Sequence, residues 1–198
     1  MSSPEILWAL ATYAFVMTIT PGPNNLLLLS SGLTFGLSRT GRHMAGILSG
    51  VLLQICVTGA GLGILFARFP DLQTVLKLAG TLYMLWLAER LWRASEPRDP
   101  TLARPIGFGA AMLFQFVNPK SWIMATTVIT AFVPAGEAYA GRVLTAGLIF
   151  TGVALPCVSI WAASGAWLRS LVRDTVARQR INRSMAALSA LTAILFWQ

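Results

Sequence analysis

Apolar residues run along this chain in stretches long enough to cross a bilayer, and two of those stretches are interrupted by polar, helix-breaking clusters. A spanning helix needs roughly 20 mostly apolar residues. The pattern predicts six: Ile6 to Leu33, Met44 to Phe66, Leu72 to Trp92, Ile106 to Val133, Val143 to Leu168 and Ile181 to Trp197. The first contains Thr20-Pro21-Gly22-Pro23-Asn24-Asn25 and the fourth contains Asn118-Pro119-Lys120. Between the third and fourth spans, Arg93 to Arg104, with Pro97 and Pro100, is the only linker of any length. The chain thus divides into residues 1–93, a linker at 94–105 and residues 106–198. The fold class predicted is an all-α integral membrane protein of six transmembrane helices, built as two three-helix repeats, each with a broken first helix. Three spans per repeat is an odd number, so the repeats insert upside down relative to each other, as in many secondary transporters.

Composition supports this reading. Hydrophobic residues make up 56% of the chain and charged residues 11%, and mean hydropathy is +0.67, whereas about a quarter of a soluble domain is charged. The net charge of +8 comes from 15 Lys and Arg. They fall in short clusters between apolar runs and not on one amphipathic face, which argues against nucleic acid and for orientation signals. Arg39 and Arg42 follow the first span, Arg90, Arg93, Arg98 and Arg104 surround the linker, and Arg169, Arg173, Arg178, Arg180 and Arg183 follow the fifth. The alternate connections hold only Arg68, Lys77 and Arg142. Positive residues stay on the cytoplasmic side, so both termini are expected outside. Glu5 and the absence of basic residues before the first apolar run argue against a cleavable signal peptide. Cys56 and Cys157 lie inside apolar runs, without the spacing of a metal site or the density of a disulfide scaffold.

The two breaks carry the candidate chemistry. Pro21 and Pro23 each remove a backbone donor and clash with preceding carbonyls, and Gly22 frees the chain to turn, so the helix opens there. Unwound carbonyls can face an ammonium group, while the N-terminus of the resumed helix near Asn24 offers amide donors to a carboxylate. Asn24 and Asn25 add side-chain donors and acceptors. The plain alternative is a proline kink whose asparagines cap the second half-helix. At the second break, Asn118 and Pro119 precede Lys120, a cation in mid-span. Such a charge costs at least about 2.5 kcal/mol and marks a functional site by default. Its alternative role is a structural cross-link between half-helices. Gln115 lies one turn before Asn118, and Gln54 sits in the middle of the second span. Asn24, Asn25 and Lys120 are expected to line one midplane cavity with Gln54 and Gln115 on its wall, so the candidate substrate-binding set is Pro21, Gly22, Pro23, Asn24, Asn25, Gln54, Gln115, Asn118, Pro119 and Lys120. Lys77 is read as snorkelling to the outer interface, Tyr83 and Trp86 as packing residues, and His43 as interfacial at a cytoplasmic span end. Trp92, Trp122, Trp167 and Trp197 read as aromatic belt residues. Glycines in the second span (Gly46, Gly50, Gly59, Gly61, Gly63) and in the fifth (Gly147, Gly152) allow close helix approach.

These motifs carry a family resemblance. Thr20-Pro21-Gly22-Pro23-Asn24-Asn25, then Leu76-Lys77 with Gly80, Tyr83 and Leu87, then Asn118-Pro119-Lys120, resemble the signature of the LysE/RhtB family of bacterial amino-acid exporters, in register over nearly the whole chain. Phe114-Gln115-Phe116-Val117-Asn118 further resembles the cysteine and O-acetylserine exporter branch. The resemblance implies a compact inner-membrane carrier of about six spans that exports amino acids or close derivatives by alternating access, energised by protons. Many relatives carry an acidic residue and a histidine in the second span, where this chain aligns Val51 and Gln54, so a histidine there is not the proton carrier. Gln115 replaces an Asn common before the second break.

A membrane enzyme would need clustered His, Asp or Glu, which the spans lack, so neither enzyme activity nor a metal or cofactor is expected. A facilitator or channel without ion coupling is the alternative that the shortage of titratable groups keeps open, and a small membrane scaffold is a third reading. The expected partners are an amino-acid-like small molecule, the lipid bilayer and protons, with self-association compatible with all of this. Epitope tags at the two ends should both be reached by an impermeant reagent from outside intact cells; ends on opposite faces would rule out inverted repeats.

Overall fold

A computed structural model describes residues 4–62, 68, 70–94, 105–172 and 174–194. The expected linker at 94–105 falls almost wholly outside these residues, as do Trp197 and the side chain of Lys77. The described residues form eight α-helices and no strand: α1 Pro4–Ile19, α2 Pro23–Phe35, α3 Leu37–Val57, α4 Pro70–Ala94, α5 Phe108–Val117, α6 Pro119–Phe132, α7 Tyr139–Leu171 and α8 Thr175–Ile194. A π-turn, Thr58–Leu62, extends α3 and contains Gly61 at φ 104°, a left-handed conformation open to glycine without a Cβ clash.

Leu37–Gly61 and Tyr139–Leu171 are each long and apolar enough to cross a membrane, and α1 with α2 forms a third candidate span bent by 57°. The helices overrun the apolar runs that announced them. α3 starts at Leu37 and not near Met44, and α7 reaches 33 residues, about 50 Å at 1.5 Å per residue. Hydropathy detects only the oily part of a helix, whereas Ser38, Arg39 and Arg42 are compatible with continuing one beyond it.

Both predicted breaks are present, and each restarts on a proline. Pro23 and Pro119 stand at the first positions of α2 and α6, where a missing N–H goes unneeded and φ is already helical. The chain before them is extended, at Gly22 (φ −175°, ψ 175°) and Asn118 (φ −91°, ψ 111°), as the ring of a following proline requires.

Helix packing relies on absent side chains. α2 packs most extensively on α7, and α3 on α5 and α7. A Cβ on Gly32 would run into the carbonyl of Ala162, and one on Gly165 into that of Leu29, so α2 and α7 cross backbone against backbone. Gly46 and Gly50 do the same for α3 against Phe108 and Met112 of α5. In a bilayer, where lipid is as oily as leucine, such close approach is what holds helices together. Tyr83 serves packing: it stacks on Phe114 at 5.8 Å and donates to the Ala110 carbonyl at 2.6 Å. Gly32→Ala should lower the thermal stability of the detergent-solubilised protein by about 1–3 kcal/mol, as overpacking does. Gly152→Ala, at a site where a Cβ meets nothing within 4 Å, should leave the melting temperature unchanged.

Candidate functional site

Ending α1 at Ile19 strands its last carbonyls inside the protein, and nearly every one has found a partner. Val16 O accepts from Thr20 N at 3.2 Å, and Met17 O from the Thr20 hydroxyl at 3.2 Å. Thr18 O and Thr20 O each accept from Asn25 Nδ2 at 2.8 Å. Ile19 O accepts from Trp161 Nε1 of α7 at 3.1 Å. Lys120 closes the set across the two breaks: its ammonium donates to Thr20 Oγ1 at 2.8 Å, to Thr20 O at 3.0 Å and to Pro21 O at 3.4 Å. A Cβ on Gly22 would lie 3.1 Å from Lys120 Cδ and 3.3 Å from Nζ, so any larger residue there would press on the lysine.

The second break is tied by amides. Asn118 Oδ1 caps α6 by accepting from Lys120 N at 3.1 Å. Gln115 and Asn24 pair reciprocally, Asn24 Nδ2 to Gln115 Oε1 at 2.8 Å and Gln115 Nε2 to Asn24 Oδ1 at 3.2 Å. Ser121 also donates to Gln115 Oε1 at 2.8 Å, and Gln54 Nε2 reaches the Gln115 carbonyl at 3.1 Å. Trp122 donates to Phe116 O at 2.8 Å, so it staples the break.

A cavity of about 30 Å³ lies where the breaks meet. Its polar lining is Thr18, Gly22, Asn24, Asn25, Asn118 and Lys120. The apolar remainder comes from Met17 and Pro23, from Ile47, Leu48 and Val51 of α3, from Met124 of α6, and from Ala154 and Val158 of α7. Gln54 and Gln115, expected on the wall, are fully buried and not among the lining residues. Their hydrogen bonds hold them behind it. Pro21 contributes its carbonyl to Lys120, and Pro119 starts α6. His43 is not interfacial: it is 1% exposed, with Nδ1 at 3.0 Å from Ser31 Oγ, because the bundle closes over that end of α3. The described lining holds one charged group, the Lys120 ammonium, and no carboxylate.

Trp161 and Ser121 were not singled out from sequence. A tryptophan deep in the fifth span, away from either interface, was the available signal, since a buried indole N–H seeks an acceptor. Most of the apolar lining carried none, because Ile47 or Val158 looks like any other span residue. A double-mutant cycle on Asn24→Ala and Gln115→Ala should return a coupling energy of about 1 kcal/mol or more in stability. Additive effects would mean the amide pair contributes nothing.

The chain matches the model of the LysE type translocator family over residues 15–197. It is 35% identical over 132 residues to the cysteine/O-acetylserine efflux protein of Escherichia coli strain K12, which covers 66% of this chain and 67% of that one. The protein of the same name from Shigella flexneri aligns equally well. The one from Klebsiella pneumoniae is 28% identical over 192 residues, 97% of each chain. No solved structure matches. The family match takes in both breaks and the glycine-packed helices between them, and the chain belongs to the LysE family of translocators.

Proposed function

We propose that this multi-pass membrane protein exports small amino acids of the cysteine and O-acetylserine kind across the bacterial inner membrane. The substrates come from the names of its relatives, and the chemistry from Lys120, whose ammonium bridges the two breaks at the cavity. A cavity of about 30 Å³ holds a water or two and no amino acid, so loading requires the breaks to part. A zwitterion supplies the means. Its carboxylate takes the Lys120 ammonium in a charge-assisted contact stronger than one to a neutral carbonyl. Its own ammonium then replaces lysine on the released Thr20 and Pro21 carbonyls. Asn24 and Asn118 are placed to hold the carboxylate from the side. Substrate thus exchanges one set of donors and acceptors for another without leaving a buried group unmatched, and re-forming the lysine contact expels it.

Alternating access would follow from two inverted repeats, residues 1–93 and 106–198. The order of elements recurs, with a broken helix, a long apolar helix and a further helix in each half. The halves also interlock: α1 packs on α7 and α5 on α3. Arg39, Arg42 and Arg169 mark one end of the bundle as cytoplasmic, which would set both termini outside. Protons are the coupling ion this reading takes from the resemblance. An uncoupled facilitator is favoured by one observation, the lack of Asp, Glu or His among the lining residues.

Vesicles loaded with radiolabelled cysteine or O-acetylserine should release it faster with the protein than without. Release against a gradient that collapses with an uncoupler marks a coupled carrier, and release that only ever follows the gradient marks the facilitator. Lys120→Met should lower the rate by at least about tenfold, the worth of one charge-assisted bond, while the protein still inserts and folds. Unchanged transport in that variant would remove Lys120 from the site.

A further inference from the structure

One helical turn beyond the cavity, away from the arginine-bearing end, the faces of four helices that line it continue. Tyr13 stands four residues from Met17 on α1, Gln54 three from Val51 on α3, Val128 four from Met124 on α6, and Phe150 four from Ala154 on α7. Residues three or four apart share a helix face, so this layer continues the cavity walls. Gln54, Val128 and Phe150 are completely buried. The Tyr13 ring packs against Phe150 at 6.4 Å and Phe132 at 5.7 Å. Two polar atoms are buried in this apolar layer without a protein hydrogen-bond partner among the described residues, Tyr13 Oη and Gln54 Oε1.

Native proteins rarely bury an unmatched polar atom, and each case calls for a reason. A phenylalanine at 13 would fill the same space and remove the mismatch. Toward the arginine-bearing end, by contrast, buried polar side chains are paired: Ser30 donates to Asn182 at 2.7 Å, Asn182 to Thr34 at 2.8 Å, and Ser31 meets His43 at 3.0 Å. The unmatched Nε of Arg183 there belongs to a guanidinium stacked over Trp92 at 5.0 Å.

We propose that Tyr13 and Gln54 form the release gate, the layer an exported molecule passes between the cavity and the outer face, and that Tyr13 Oη and Gln54 Oε1 hydrogen-bond its polar groups in transit. This rests on the exporter reading and its orientation. With the gate shut the two atoms stay buried without a protein partner among the described residues. With the gate open the hydroxyl and the amide oxygen match a passing carboxylate and ammonium, so an otherwise oily exit carries a polar solute.

Two variants test it, with wild-type export of O-acetylserine measured in parallel. Tyr13→Phe should keep or raise the melting temperature and leave the half-saturating substrate concentration unchanged, while the maximal export rate falls about tenfold, as expected for one hydrogen bond made only in passage. Val128→Cys, in a chain with Cys56 and Cys157 replaced by alanine, should resist a charged maleimide applied from outside and react about tenfold faster once O-acetylserine is transported, as a gate that opens in each cycle requires. If wild type exports but Tyr13→Phe matches it, or melts lower, or Val128→Cys stays unreactive, the gate is wrong and the exporter reading survives. If wild type does not export, that reading falls and the gate falls with it.

Discussion

A backbone carbonyl in the middle of a membrane protein has to find a donor within the protein, because lipid offers none. Opening α1 at Ile19 releases a run of them at once, and the architecture around the breaks answers that demand. Asn25 reaches back to the Thr18 and Thr20 carbonyls, Trp161 comes across from α7 for that of Ile19, and Lys120 arrives from the other half of the chain to share Thr20 O and take Pro21 O. An isolated ammonium at this depth would be costly. Here it is matched on three oxygens, so the unfavourable charge and the unfavourable break cancel each other's unmet hydrogen bonds.

That mutual satisfaction ties structure to transport. On the proposed function, the groups that satisfy one another at the breaks are the same groups that suit a zwitterion, and a substrate would compete with these contacts instead of adding to them. Binding in that reading would have a mechanical consequence, since Lys120 cannot hold both Thr20 and a carboxylate with all its donors. The amides around Gln115 have no such freedom. Completely buried and engaged with Asn24, Ser121 and Ala111, Gln115 sets where α5 ends and where Lys120 can reach.

Close packing makes the placement accurate. Backbone contact at Gly32 and Gly165 brings α2 onto α7, and that approach puts Trp161 within reach of Ile19. Contact at Gly46 and Gly50 brings α3 onto α5, which lets Gln54 donate to the Gln115 carbonyl. Side chains of ordinary size at these crossings would move the helices apart by more than a hydrogen bond tolerates.

Hydropathy and helix-breaking chemistry alone located both breaks and the lysine at the second, because these are local properties: a proline lacks its donor whatever surrounds it, and a charge in an apolar run is costly wherever the run packs. The helix ends were less legible, since Leu37 to His43 is helical without being oily. The tertiary structure alone decided which carbonyl each donor meets, that Gln54 and Gln115 stand behind the cavity and not on its wall, and that His43 is buried. These depend on which helices touch and at what rotation. That is set by glycine crossings between segments far apart in the chain, such as Gly32 with Gly165 and Gly46 with Phe108, and no local pattern encodes such a crossing.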